Sequence, residues 1–259
     1  MPSDAADTAD TAARPGRAHY HHGDLANALT SAGVALAREG GPDAVVLREA
    51  ARRVGVSPTA AYRHFAGHEE LRHAVKLRAQ ALLAEAMEAG ISAGPRFDDP
   101  AGEAQRRMGA IGWAYLHFAL QEPGLFRTAF CFTNDTKQDD VKHIAPGDAP
   151  KDRRDGAADK VAAWPSGIEN FLQHKAFQIL RENLDLLVDT GVLSPALRPL
   201  AEFPAWSSVH GLATLLLDGP LDVDDPDLLH AVAGKVLDGV MHGLLHDPAQ
   251  GPGSVPPTD

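Results

Sequence analysis

The stretch Val46–Phe65 constrains the fold more than any other part of the chain. A helix is expected over Leu47–Val54, ended by Gly55. Another is expected over Pro58–His64, with Ser57 as N-cap and a proline at the first helical position. Two short helices that cross steeply need a small residue near the crossing and a flexible residue in the turn. Ala51 and Gly55 supply these. Val54, Val56 and Ala61 are placed to form a shared core, which leaves Arg52, Arg53, Thr59, Tyr62, Arg63 and His64 facing outward.

A second helix with a polar, basic and aromatic outer face is fit to sit in the major groove of DNA. Arg63 can donate bidentately to guanine, and Thr59 can touch a base edge or a thymine methyl. Tyr62 and His64 can donate to phosphates, which fix orientation without reading sequence. A short helical hairpin with a solvated basic face has the same spacing, so both readings stand on the pattern alone.

The charge is compatible with DNA only because it is uneven. The 259 residues carry a net charge of −11. Residues 14–80 hold 10 Lys/Arg against 6 Asp/Glu, with 6 of the 13 His. Residues 81–259 hold 14 against 26, and residues 1–13 hold three Asp and no base. The asymmetry suggests a weakly basic module tied to an acidic body.

Helical periodicity runs through the rest. Leu25, Leu29, Ala32 and Leu36 line one face of a first helix, which Gly40-Gly41-Pro42 stops. A fourth helix starts near His68, with Leu71, Val75, Leu82 and Leu83 on its buried side. After the breakers Gly94 to Pro100, helices are expected over Gly102–Gln121, then weakly to Phe132, then Ile168–Val188, Leu200–Leu217 and Pro226–Leu245. No run of alternating strands and no internal repeat occurs, so the expected class is all-α. The expected organisation is a disordered arm over 1–18, a helix–turn–helix domain over 19–80 and a helical domain over 81–247. A mobile loop at 133–163 and a disordered tail at 248–259 complete it.

The residues also carry a resemblance. Tyr20-His-His-Gly-Asp-Leu25, Leu47-Arg-Glu49, Val54-Gly-Val-Ser57 and Tyr62-Arg-His-Phe65 occur in an order and spacing that resemble the TetR family of bacterial transcriptional regulators. Downstream, Trp206-Ser-Ser-Val-His-Gly-Leu-Ala213 resembles the Trp-His-Gly pattern of one TetR-type C-terminal domain. The resemblance implies DNA contacts from Arg48, Pro58, Thr59, Ala60, Tyr62, Arg63, His64 and His68. It also implies a homodimer on a pseudo-palindromic operator and a small effector held by the C-terminal helices. Three positions depart from the family pattern. Val46 stands where a capping Ser or Thr is common, Thr59-Ala60-Ala61 where Gly-Thr-Leu is frequent, and His68 where a lysine is frequent. His21 and His22 could add phosphate contacts, and Arg14 and Arg17 could form an arm toward the minor groove.

In the acidic body, Trp113, His117, Phe118, Phe126, Phe171, His174, Phe177, Trp206 and His210 gather aromatics and histidines in one half of the chain. An effector cavity needs such a lining, and a packed core uses the same residues. Catalytic constellations are missing. His242 and His246 have helical spacing, but no Glu follows His242, so a zinc-protease helix is excluded. Asp222, Asp224, Asp225 and Asp227 lack the glycine and closing glutamate of a calcium loop and read as a turn and helix start. Cys131, the only cysteine, excludes an intrachain disulfide and reads as a small hydrophobe, with no basic neighbour nearer in sequence than Arg127. No cofactor, metal or membrane partner is expected. With Asp4, Asp7 and Asp10 and no apolar core, the N-terminus does not read as a signal peptide, so a cytoplasmic, nucleoid-associated protein is expected. The reading is a DNA-binding repressor released by a small apolar effector. The alternatives are a regulator controlled by abundance or a protein partner, and an enzyme with an N-terminal helical hairpin.

Overall fold

The computed structural model describes residues 22–131, 172–221 and 223–246, and among them the chain is helical with no strand. The expected all-α class is therefore the observed one. The elements are α1 (His22–Gly40), α2 (Leu47–Val54), α3 (Pro58–Ala61), α4 (His68–Ser92), α5 (Pro100–Gln121), α6 (Pro123–Phe130), α7 (Lys175–Asp189), α8 (Glu202–Leu217) and α9 (Pro226–Leu245). The arm 1–18, the loop 133–163 and the tail 248–259 lie outside the described residues.

Helix α1 turns Leu29, Leu36 and Ala37 inward, as its periodicity requires. Helix α4 holds the molecule together. At 25 residues it is about 37 Å long. Near its start, Leu71 and Val75 pack against α1 around Gly33. Farther along, Leu83, Ala84 and Met87 are buried where α4 meets α5 and α7. The expected division at residue 80 falls inside this helix, and Gln80 is buried there. The N-cap of α5 is Asp99, which accepts from the Gly102 amide at 2.8 Å, and Pro100 takes the first helical position.

Four expected boundaries move, each for a backbone reason. Helix α3 ends at Ala61 instead of His64. Beyond it the chain tightens, with the Arg63 amide bonded to the Ala60 carbonyl and that of His64 to Ala61, which carries Phe65 into the core. Helix α6 stops at Phe130 because Cys131 is extended. The helix expected over Ile168–Val188 is interrupted before Lys175, since His174 is extended with ψ 130°; residues 168–171 lie outside the described residues. Helix α8 begins at Glu202, because Leu200 sits at φ 65°, in the left-handed region no helix accommodates.

Candidate nucleic-acid interface and effector cavity

The local chemistry of α2 and α3 builds a rigid helix–turn–helix. Gly55 adopts φ 78°, which lets α2 end sharply, and the next amide, of Val56, bonds to the Ala51 carbonyl at 3.0 Å. The Ser57 hydroxyl accepts from the Ala60 amide at 3.2 Å. Ala51 and Ala61 are fully buried, so the helices meet through methyl groups. Val46 occupies the N-cap of α2 with no side-chain cap, and it is 43% exposed.

The outward residues divide by what they already hold. Arg53 reaches Glu39 at 2.8 and 2.6 Å and Glu49 at 3.3 Å, locking α2 to the end of α1. Arg52 grips Glu49 at 2.7 and 2.8 Å. These guanidinium groups hold the Glu49 carboxyl down to about 2. Two of the basic residues expected to face outward are thus engaged within the protein. Arg48 and Arg63 are exposed and make no ion pair with a described residue. Pro58, Thr59 and Tyr62 are exposed beside them, with Tyr62 at 45%, while Ala60 and His64 are half-buried. His68 opens α4, exposed, with its Nε2 2.8 Å from Glu69.

The second site is an apolar cavity between five helices. Its walls are Met87 of α4, Ile111 and Tyr115 of α5, Leu180 of α7, Trp206 and Val209 of α8, and Leu237 and Met241 of α9. The cavity volume is about 50 Å³, several times the space of about 10–15 Å³ that one water needs. Beside it, the Tyr115 hydroxyl lies 2.7 Å from His210 Nδ1. Burial pushes the Tyr115 phenol up and the His210 imidazole down, so the pair is neutral near pH 7. Phe126 and Phe130 close the other side, with ring centroids 5.5 and 4.8 Å from His210.

Of the nine aromatic and histidine residues singled out in the sequence, Trp206 lines the cavity, and His210, Phe126 and Phe177 belong to the ring cluster around it. Phe118 is buried in the core. Trp113 stacks on His230 of α9 at 4.4 Å, and His117 beside it is exposed. His174 is half-buried at the start of α7, and Phe171 lies outside the described residues. The methionines, Tyr115 and the aliphatic walls were not singled out. The one signal available was that Tyr115, Ile111 and Met108 share a helical face of α5.

Helix α6 joins the two sites. A Cβ on Gly124 would collide with the Ala37 carbonyl oxygen, so α6 begins in backbone contact with α1. Arg38 pairs with Glu122 at 3.0 Å beside it. At its other end the Gln80 amide donates to the Ala129 carbonyl at 2.8 Å, and Lys76 donates to that of Cys131 at 2.7 Å. Lys76 is thus a basic neighbour of Cys131 invisible in the local sequence, yet burial still pushes the thiol up.

A family model described as "Bacterial regulatory proteins, tetR family" matches residues 29–75. No curated protein matches the chain. Among solved structures, a protein of unknown function from Rhodococcus sp. RHA1 is 25% identical with a TM-score of 0.61, covering 89% of this chain and 100% of its own. A putative TetR-family regulator from Vibrio parahaemolyticus is 17% identical with a TM-score of 0.51, covering 82% and 96%. A TetR-family transcription regulator from Marinobacter aquaeolei VT8 is also 17% identical, with a TM-score of 0.50 and coverage of 83% and 94%. These last two share the fold.

Proposed function

We propose that the chain is a DNA-binding transcriptional regulator of the tetR family, a repressor released from its operator by a small apolar effector. The observation that carries the reading is the exposed face of Thr59, Tyr62 and Arg63 on a helix pair anchored by buried Ala51 and Ala61. In this reading Arg63 and Thr59 read bases, with Pro58 and Ala60 in apolar contact. Tyr62, His64, Arg48 and His68 hold phosphates. The apolar cavity favours control by an effector over control by abundance or a protein partner, and the family gives no support to an enzymatic role. The setting is cytoplasmic, on the nucleoid.

A second copy is assigned to α8 and α9. Helix α9 is long and apolar enough to cross a membrane by length and composition, yet little of it is covered in the chain. Leu215 and Leu228 are exposed, and Leu229, Val232, Val236 and Val240 are half-buried. Val209, Leu212 and Leu244 are already buried within the chain. Pairing through this face would set two recognition helices on one side of a pseudo-palindromic operator, with half-sites about 34–36 Å apart or a multiple of it. Effector binding would act through α6, which touches the cavity rings at Phe126 and Phe130 and grips α1 and α4. The coupling expected of such a switch is about 1–3 kcal/mol. Light scattering at micromolar concentration and footprinting on a selected operator test the assembly. A monomeric mass with a single-half-site footprint would sink it.

A further inference from the structure

His242 and His246 stand one turn apart at the C-terminal end of α9, and both are exposed, whereas Ala233, Leu237 and Leu244 of the same helix are buried. The two imidazole rings stack, with centroids 3.9 Å apart and planes 28° from parallel. His246 Nδ1 lies 2.8 Å from the His242 carbonyl oxygen. A carbonyl only accepts, so Nδ1 carries the proton, and Nε2 of the neutral ring keeps its lone pair. Metal-binding histidines are held in this way, one ring nitrogen donating to a carbonyl and the other on the ion. Two zinc–nitrogen bonds of about 2.0–2.1 Å at a tetrahedral angle place the nitrogens about 3.4 Å apart, so rings this close need little movement to converge on one ion. The last carbonyls of α9 form the negative pole of the helix, which favours a cation. The missing Glu after His242 rules out zinc-protease chemistry and leaves chelation open. Among the described residues no group of three His, Cys, Asp or Glu is placed to hold an ion, so the pair supplies two ligands and water the rest.

We propose that His242 and His246 form a two-nitrogen chelate for a divalent transition cation, one per chain. Imidazole suits Ni²⁺, Cu²⁺ and Zn²⁺, whereas Mg²⁺ and Ca²⁺ take oxygen ligands. The bound ion ties the last turn of α9 together. The site needs one chain alone, so it stands whether or not a second copy docks on α9.

The test titrates the full chain, without a histidine tag, with Ni²⁺, Cu²⁺ and Mg²⁺ by calorimetry. His19→Gln, His21→Gln and His22→Gln are made together as the background, to remove the histidines clustered in sequence near the N-terminus. One Ni²⁺ should bind per chain, Cu²⁺ more tightly, and Mg²⁺ should give no binding heat. Ni²⁺ should also raise the melting temperature. Two nitrogens on one helix act together, so His242→Gln and His246→Gln should each weaken Ni²⁺ at least about a hundredfold, and the double variant little more than either. A His246→Gln, Gly243→His variant keeps the number of histidines and breaks their spacing. A Cβ at Gly243 meets nothing within 4 Å, so this variant should fold as the parent does and bind Ni²⁺ as weakly as His246→Gln. Single variants that each lose about half the affinity or less, undiminished binding by the respaced variant, or Mg²⁺ binding as tight as Ni²⁺ would each overturn the chelate.

Discussion

Val46→Thr should make the protein more stable and tighten its hold on DNA. Val46 occupies the N-cap of α2 in extended backbone, φ −116° and ψ 124°, which a β-branched threonine adopts without strain. Its carbonyl already accepts from the Glu49 and Ala50 amides at 3.0 Å each. The Leu47 and Arg48 amides ahead of them have no partner among the described residues. A threonine hydroxyl would accept from the Arg48 or Glu49 amide, a gain of about 0.5–2 kcal/mol. It would also remove an apolar side chain that is 43% exposed, at nearly constant volume. In a chain of this size 1 kcal/mol shifts the melting temperature by about 2–4 °C, so the rise should be about 1–8 °C. The hydroxyl also lies at the end of a helix whose Arg48 is exposed, where a phosphate contact would add about 0.5–1.5 kcal/mol. That gain should be nearly equal on operator and unrelated DNA, because phosphates carry no sequence. Thermal unfolding by circular dichroism and electrophoretic titration at fixed salt measure the two effects, with Val46→Ala as the uncapped control. If Val46→Thr melts no higher than Val46→Ala, the capping argument is wrong. If it melts higher but binds DNA no more tightly, the phosphate contact is wrong.

Arg63→Ala should cost about 1–3 kcal/mol on the cognate operator and relax preference at one base pair, whereas Tyr62→Phe should weaken all sequences evenly. Operator binding by Arg63→Ala as tight as the parent's would remove Arg63 from the readout. Leu200→Gly should raise stability by about 0.5–1 kcal/mol, the left-handed penalty less glycine's extra chain entropy, visible as a higher melting temperature. Gly124→Ala should destabilise by about 1–3 kcal/mol, because the new methyl meets backbone of α1 that a rotamer change cannot clear. An unchanged melting temperature would refute that contact. Burial lowers His210 and His174 from their ordinary 6.5, so the unfolded chain takes up protons that the folded one refuses. Stability is therefore complete above pH 6.5 and is lost as pH falls below it. Melting curves should show this slope, and His210→Gln should reduce it.

The helix–turn–helix was legible because its determinants are neighbours in the chain. Gly55 ends α2, Ser57 and Pro58 start α3, and Ala51 and Ala61 fit the crossing. Each acts within about one helical turn, where capping and backbone sterics dominate. The outward placing of Thr59, Tyr62 and Arg63 follows from the same local geometry. Periodicity also located the long helices, and it failed at their ends. Nothing in the run Pro199-Leu200-Ala201 announces that Leu200 turns left-handed.

What the tertiary structure decided is which groups meet across long separations. Arg52 and Arg53 look alike in sequence, yet only Arg53 reaches Glu39, fourteen positions away, and so becomes part of the scaffold. Trp113 and His117 have the i, i+4 spacing of a lining pair, but the face they share turns to His230 and solvent. Tyr115, two residues on from Trp113, points into the cavity and meets His210, ninety-five positions away. A helix sequence sets which residues share a face, and the cavity depends on where the other four helices stand. Met87, Met108 and Met241 become one wall only because α4, α5 and α9 pack together, and that packing is set by the summed burial of many side chains.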